Sequence, residues 1–279
     1  MGGGHGLAAT LAAARQYTDD VTAIVSVADD GGSSGRLRQS FGVHPPGDLR
    51  KCLVAMGDPK SLWTAAFDYR FDAGELEGHA LGNLVIAGLA EALGDFIEAI
   101  GEAARLVGAV GRVFPATSAP VVLKGEYAGG EIEGQVAVAA TPRIARVSVV
   151  PAYPEAPEGA LQAIARADQV ILGPGSLYTS VLAVVAVPAL RAALASSSAM
   201  KAYVCNLGQQ VPETAGYDVA AHVEALCAHG VEVDTVVCDT TTMPLGSLAR
   251  PFVDRPLAGA NGGAHDPARL ADALADLML

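Results

Sequence analysis

The stretch Val21–Lys51, VTAIVSVADDGGSSGRLRQSFGVHPPGDLRK, constrains the fold more than any other part of the chain. Val21, Ala23, Val25 and Val27 alternate with Thr22, Ile24, Ser26 and Ala28. A β-branched run that is apolar on both faces suits a buried parallel strand. Asp29-Asp30-Gly31-Gly32-Ser33-Ser34-Gly35 breaks it, because glycines and short polar side chains favour turns with exposed backbone N–H groups. Arg36 and Arg38 follow, and Pro45-Pro46-Gly47-Asp48-Leu49-Arg50 opens a helix. Ligands of open α/β sheets bind at the carboxyl ends of such strands. Taken alone, the loop is a solvated turn with a helix cap. As a functional element it is an anion cradle: nested N–H groups for a phosphate, arginines to clamp it, and acids for a metal ion or sugar hydroxyls.

Three further loops of similar composition favour the functional reading. Gly2-Gly3-Gly4-His5-Gly6 feeds an alanine-rich helix over Leu7–Gln16, the order of a phosphate site when a strand precedes it. Only Met1 precedes the glycines, so the pattern reads as one whose first strand is cut off. Gly78-His79-Ala80-Leu81-Gly82-Asn83 introduces a helix to Leu93, with His79 and Asn83 four apart on one face. Capping with a hydrogen-bonded His explains that spot as well as a ligand does. Gln169–Leu172 is a buried strand that ends in Gly173-Pro174-Gly175-Ser176, from which a single helix is expected over Leu177–Ala195.

The remaining elements complete an alternation. Helices are expected at Pro46–Met56, Lys60–Phe71, Phe96–Leu106, from Ala215-Gly216-Tyr217-Asp218 to Cys227, and at Pro267–Leu279, where Asp266 and Pro267 give a helix start. Strands are expected at Val121–Leu123, Gly134–Ala140, Ala145–Val150, Ala202–Leu207 and Thr235–Cys238, with Asp239–Gly263 irregular. The expected architecture is a Rossmann-like α/β three-layer sandwich with a mostly parallel sheet, in one domain over residues 1–279.

A formal net charge of −12 argues against a general nucleic-acid or anionic-membrane surface and makes a local arginine cluster conspicuous. Cys52, Cys205, Cys227 and Cys238 form no C-x-x-C pair, which fits a reducing cytoplasmic compartment. The longest apolar run, Val181–Leu190, is too short to span a bilayer.

VADDGGSSGRLR, PPGDLRKCL, GHALGNL and GPGSLYTSV, in that order, resemble the YvcK family, the gluconeogenesis factors, which are relatives of the 2-phospho-L-lactate transferases of coenzyme F420 biosynthesis. The resemblance extends through NLGQQVPETAGYDVAAHV to HDPARLADAL. It implies a cytoplasmic regulatory protein that binds a UDP-sugar, especially UDP-N-acetylglucosamine, and influences cell shape and peptidoglycan synthesis on gluconeogenic carbon. Cell-wall synthesis proteins and a Ser/Thr kinase are implied partners, and a homo-oligomer is admitted. By position, Gly3, Gly4 and Gly6 would lie under the nucleotide. Asp29, Asp30, Gly31, Gly32, Ser33, Ser34 and Arg36 would form the central wall, with Asn83, Gly173, Gly175, Ser176 and Asn206 beside it and Tyr217 near the sugar or base.

Two further classes are compatible with these residues. One is a transferase moving a phosphorylated group from a nucleotide diphosphate, with Asp29 or Asp30 holding Mg²⁺ and Arg36 or Arg50 neutralising phosphate charge. No H-E-x-x-H pattern supplies a catalytic metal site, and a binding protein without turnover ranks first. An NAD oxidoreductase ranks last, since the nearest candidate for the acid expected on the ribose, Asp29, is committed to the loop.

Overall fold

The computed structural model describes residues 1–278. Helix α1 (Gly4–Ala14) precedes strand β1 (Thr22–Val25), and successive residues Ala23, Ile24 and Val25 are all buried. Neighbouring strand residues point to opposite faces, so both faces of β1 are covered, as its composition requires. After β1 come α2 (Gly32–Phe41), α3 (Gly47–Met56), α4 (Leu62–Asp68), α5 (Leu81–Leu93) and α6 (Phe96–Val107) before the chain returns to β2 (Arg112–Pro115). Strand β2 lies parallel to β1, with Thr22 opposite Arg112.

A separate antiparallel sheet follows. Strands β3 (Val122–Tyr127), β4 (Gly130–Glu133) and β5 (Arg146–Val150) pair in the order β4-β3-β5, with α7 (Gln135–Ala139) between β4 and β5. The second parallel unit begins with α8 (Glu158–Arg166) and β6 (Gln169–Leu172). It continues through a π-helical turn (Leu177–Val181), α9 (Leu182–Val185), α10 (Pro188–Ser196), β7 (Met200–Val204), α11 (Val219–Ala228), β8 (Thr235–Cys238), β9 (Phe252–Asp254) and α12 (Pro267–Ala275). Strands β6-β7-β8-β9 are parallel throughout.

The two parallel sheets are joined by Met1 and Gly2. Gly2 bridges Val25 in parallel, while the Met1 α-amino group donates to the Ile171 carbonyl at 2.7 Å and the Gly173 N–H donates to the Met1 carbonyl at 3.0 Å. The sheet is therefore ordered β2-β1-(Met1–Gly2)-β6-β7-β8-β9. It is the mixed α/β, mostly parallel architecture that the sequence implies.

Four local expectations are corrected. Gly134–Ala140 is not a strand: α7 starts there because Asp30 accepts the Gln135 and Val136 N–H groups. The glycine-serine stretch does not stay a loop but becomes α2. Its poor helix formers are held by packing: Leu37 is buried, and a side chain on Gly35 would strike the Asp30 backbone. Leu177–Ala195 is a bent pair, turning by 75° before α10, where Pro188 occupies the first position. Asp239–Gly263 contains β9, paired with β8 from Val236↔Phe252 to Cys238↔Asp254.

No single helix among the described residues is long and apolar enough to cross a membrane. The four cysteines are free thiols, and three of them are buried.

Candidate functional site

The site is built where β1, the starts of α1, α2 and α3, and the start of α5 come together. From the end of β1 the chain passes through Ser26, whose N–H donates to the Gly2 carbonyl at 2.8 Å, to the acid pair. Asp29 and Asp30 diverge. Asp29 accepts the Gly31 N–H at 2.9 Å, and the Ser34 hydroxyl oxygen accepts the Gly47 N–H at 3.1 Å. Asp30 commits both carboxylate oxygens to α7, at 3.0 Å to Gln135 and 2.9 Å to Val136. Burial pushes the Asp29 pKa up, and the negative charge of Asp48 adds to this against the pull of the Gly31 amide.

Asp48, in the first turn of α3, accepts the Gly4 N–H at 2.8 Å and the Lys51 ammonium at 2.9 Å. A Cβ on Gly3 would lie 2.6 Å from the Asp48 carboxylate and 3.2 Å from the Ser180 hydroxyl, so only glycine permits this approach. Gly6 serves packing: a Cβ there would lie within 3 Å of the Pro174 backbone. His5 is exposed beside the pair, and its pKa is lowered first by the Lys51 charge and then by burial.

The start of α2 is open. No side chain among the described residues caps it, and its first intrahelical bond runs from the Gly35 N–H to the Gly31 carbonyl. That leaves the Gly32, Ser33 and Ser34 amides outside the helix ladder, at the positive end of the helix dipole. The Ser33 oxygen lies 3.0 Å from His79 Nδ1 and accepts from the Asn83 amide at 3.3 Å. Arg36 Nε donates to His79 Nε2 at 3.1 Å. An imidazole that accepts at Nε2 carries its proton at Nδ1, so His79 donates to Ser33 and is not its base. Burial, followed by the positive Arg36, lowers the His79 pKa and keeps the ring neutral. Ser33 thus accepts twice and retains a hydroxyl proton to give to a ligand.

The second glycine-serine loop is closed by the chain's own side chains. Asn206 accepts the Gly175 N–H at 2.9 Å and donates to the Gly175 carbonyl at 3.0 Å. Glu213 Oε1 accepts the Tyr178 N–H at 2.8 Å and the Thr179 N–H at 2.9 Å, filling the N-terminus of the π-helical turn. Thr10 donates to the Gly173 carbonyl at 2.8 Å, and Ser176 stands just before the turn without capping it. The Tyr217 and Tyr178 hydroxyls are 2.7 Å apart. Arg50 is buried and bonded to Asp68 at 2.6 Å and to the Phe67 carbonyl at 3.3 Å.

The structure therefore gathers Gly3, Gly4, Asp29, Ser33, Ser34, Arg36 and Asn83 near the end of β1, while Asp30 and Arg50 serve neighbouring elements. Asp48, Lys51 and Glu213 are polar contributors that the motif reading does not assign. The i,i+3 spacing of Asp48 and Lys51 at a helix start is the signal for the first two. Among the described residues, no three His, Cys, Asp or Glu side chains are grouped as a metal site. Mg²⁺ takes one or two carboxylates together with substrate phosphates, and Asp29 is the acid placed to supply one.

The family model described as 2-phospho-L-lactate transferase CofD matches residues 1–270. The gluconeogenesis factor of Bacillus subtilis is 40% identical over 250 residues, covering 88% of this chain and 78% of that protein. The gluconeogenesis factor of Halalkalibacterium halodurans is 41% identical over 243 residues, covering 85% of this chain and 76% of that protein. A crystal structure of a UPF0052-family protein from Bacillus halodurans superposes with a TM-score of 0.91 at 34% identity, covering 98% of this chain and 96% of that one. By this match across the chain, the protein belongs to the CofD family and, within it, to the gluconeogenesis factors of the YvcK family.

Proposed function

We propose that this chain is a cytoplasmic regulatory protein that binds a UDP-sugar, UDP-N-acetylglucosamine first among candidates, and couples gluconeogenic growth to cell shape and peptidoglycan synthesis. One observation carries the binding reading: the uncapped start of α2, with Ser33 and Arg36 in its first turns. A diphosphate there meets free amide N–H groups, a hydroxyl donor and a guanidinium at the helix dipole's positive end. Glu213 occupies the corresponding N-terminus at the second loop, which supports α2 as the seat of the diphosphate. The His79 tautomer supports binding without turnover, because it leaves Ser33 protonated and without a base.

The transferase reading rests on the CofD match and on Asp29, whose carboxylate can join a diphosphate in holding Mg²⁺. Phosphoryl transfer is largely positioning and charge stabilisation, and an acceptor substrate would be needed. Chromatography of UDP-N-acetylglucosamine recovered after prolonged incubation with Mg²⁺ and candidate phosphorylated acceptors separates the two readings. The regulatory reading expects intact ligand; release of a nucleoside monophosphate or diphosphate would replace it with transfer.

A further inference from the structure

Helix α7 belongs to the antiparallel sheet by sequence, yet the fold holds it beside the open start of α2. Asp30 fixes its first turn from more than a hundred residues away, with Oδ2 accepting the Gln135 N–H at 3.0 Å and Oδ1 the Val136 N–H at 2.9 Å. Gly134, just before the helix, has φ +100°, and a Cβ there would lie 2.5 Å from the Asp30 carboxylate. Glycine alone permits both the backbone angle and the approach. Further along, α7 packs against the π-helical turn Leu177–Val181. It therefore stands between the two glycine-serine loops.

Val136 is the part of α7 that reaches the site. A Cβ built on Gly31 would lie 3.1 Å from Val136 Cγ2, so the valine side chain covers the residue that precedes the α2 amides. Val136 is nevertheless 53% exposed, whereas Val138, two residues on, is fully buried in the core. Single apolar residues on a surface are common. Val136 differs from these in two ways: its N–H is held by a distant carboxylate, and its side chain lies against the backbone of the site.

The two flanks of the α2 start differ in chemistry. On the flank of Asp29 stand Asp48 and Lys51, charged and bonded to each other at 2.9 Å. On the flank of Asp30 stands Val136. The Gln135 and Val136 amides are taken by Asp30, so neither is free to donate to the edge of a base. An apolar wall of this kind suits the C–H face of a pyranose or an acetyl methyl group, which gain by leaving water and need no hydrogen-bond partner.

We propose that Val136 is a specificity-determining residue, packing on the sugar of a nucleotide-sugar whose diphosphate occupies the start of α2; this rests on the binding of such a ligand proposed above. Asp30 holds Val136 in place and makes no contact with the ligand. The valine contact raises affinity for the sugar-bearing ligand and adds nothing for the free nucleoside diphosphate, because the sugar is the half that reaches α7.

Titration calorimetry with UDP-N-acetylglucosamine and, separately, with UDP tests this on the wild type, Val136→Ala and Val136→Ile. Val136→Ala should weaken UDP-N-acetylglucosamine binding about fivefold, the worth of two partly buried methyl groups, while UDP binds both proteins alike. Val136→Ile keeps the apolar surface and should bind the sugar nucleotide as the wild type does. Equal weakening of both ligands in Val136→Ala, or weakening of neither, would overturn the assignment of Val136 while leaving binding at α2 intact. A wild type that binds neither ligand would remove the binding proposal itself, and the assignment with it.

Discussion

The buried carboxylate of Glu213 accepts the Tyr178 N–H at 2.8 Å, and the same oxygen accepts the Thr179 N–H at 2.9 Å. This internal anion sits where a phosphate would sit on an open helix start. Glu213→Ala leaves two buried N–H groups without an acceptor and should cost about 3 kcal/mol in urea unfolding. Glu213→Gln keeps an acceptor and should cost about half as much.

Gly6 faces the Pro174 backbone with no room for a methyl group. Gly6→Ala should destabilise the protein by about 2 kcal/mol through forced separation of α1 from the Gly173–Ser176 loop. Thermal unfolding of the purified variant measures this. An unchanged Tm would mean that the two elements separate freely.

Much of the fold was legible because burial leaves a simple pattern. Val21–Ala28 and Gln169–Leu172 are apolar on both faces, and Asp266-Pro267 marks a helix start that forms as expected, with Asp266 accepting the Ala268 and Arg269 N–H groups. The misread stretches depend on partners distant in sequence. Helix α7 begins where Asp30 reaches it across more than a hundred residues, and no local pattern carries that contact. Within the site, the glycine loops marked the strand ends, but composition could not show which loop was already filled. Glu213 closes one loop and lies 34 residues or more from the amides it caps. Likewise Asp29 and Asp30 are equivalent in sequence and diverge only because each meets a different helix start.

Acid should weaken the fold. Burial lowers the pKa of His44, His222, His229 and His265, and it lowers that of the Met1 α-amino group to about 6. The unfolded chain therefore binds these protons at higher pH than the folded one, so stability is present above pH 8 and is lost as pH falls through the unfolded values. The raised pKa values of Asp29 and Glu213 act oppositely, but only at lower pH, where those acids begin to protonate. The unfolding free energy from urea titration should fall between pH 8 and pH 5.5, by about 2 kcal/mol in total. A flat profile across that range would contradict the buried neutral groups.

In the proposed complex Ser33 donates a hydrogen bond to the ligand and is not a nucleophile. Ser33→Ala should weaken UDP-N-acetylglucosamine binding by about fivefold, the worth of one neutral hydrogen bond. His79→Phe should weaken it further, because Arg36 and Ser33 both lose the ring that positions them. Covalent labelling of Ser33 by ligand, detected by mass spectrometry of the intact protein, would instead make it a nucleophile.

Isothermal titration with UDP-N-acetylglucosamine, with and without Mg²⁺, on the wild type and on Arg36→Ala tests ligand binding at the α2 start most directly. Saturable one-to-one binding by the wild type, weakened at least about tenfold in Arg36→Ala by loss of a charge-assisted contact, is the expected result. Binding that Arg36→Ala leaves unchanged, or no binding by the folded wild type under either condition, would contradict it.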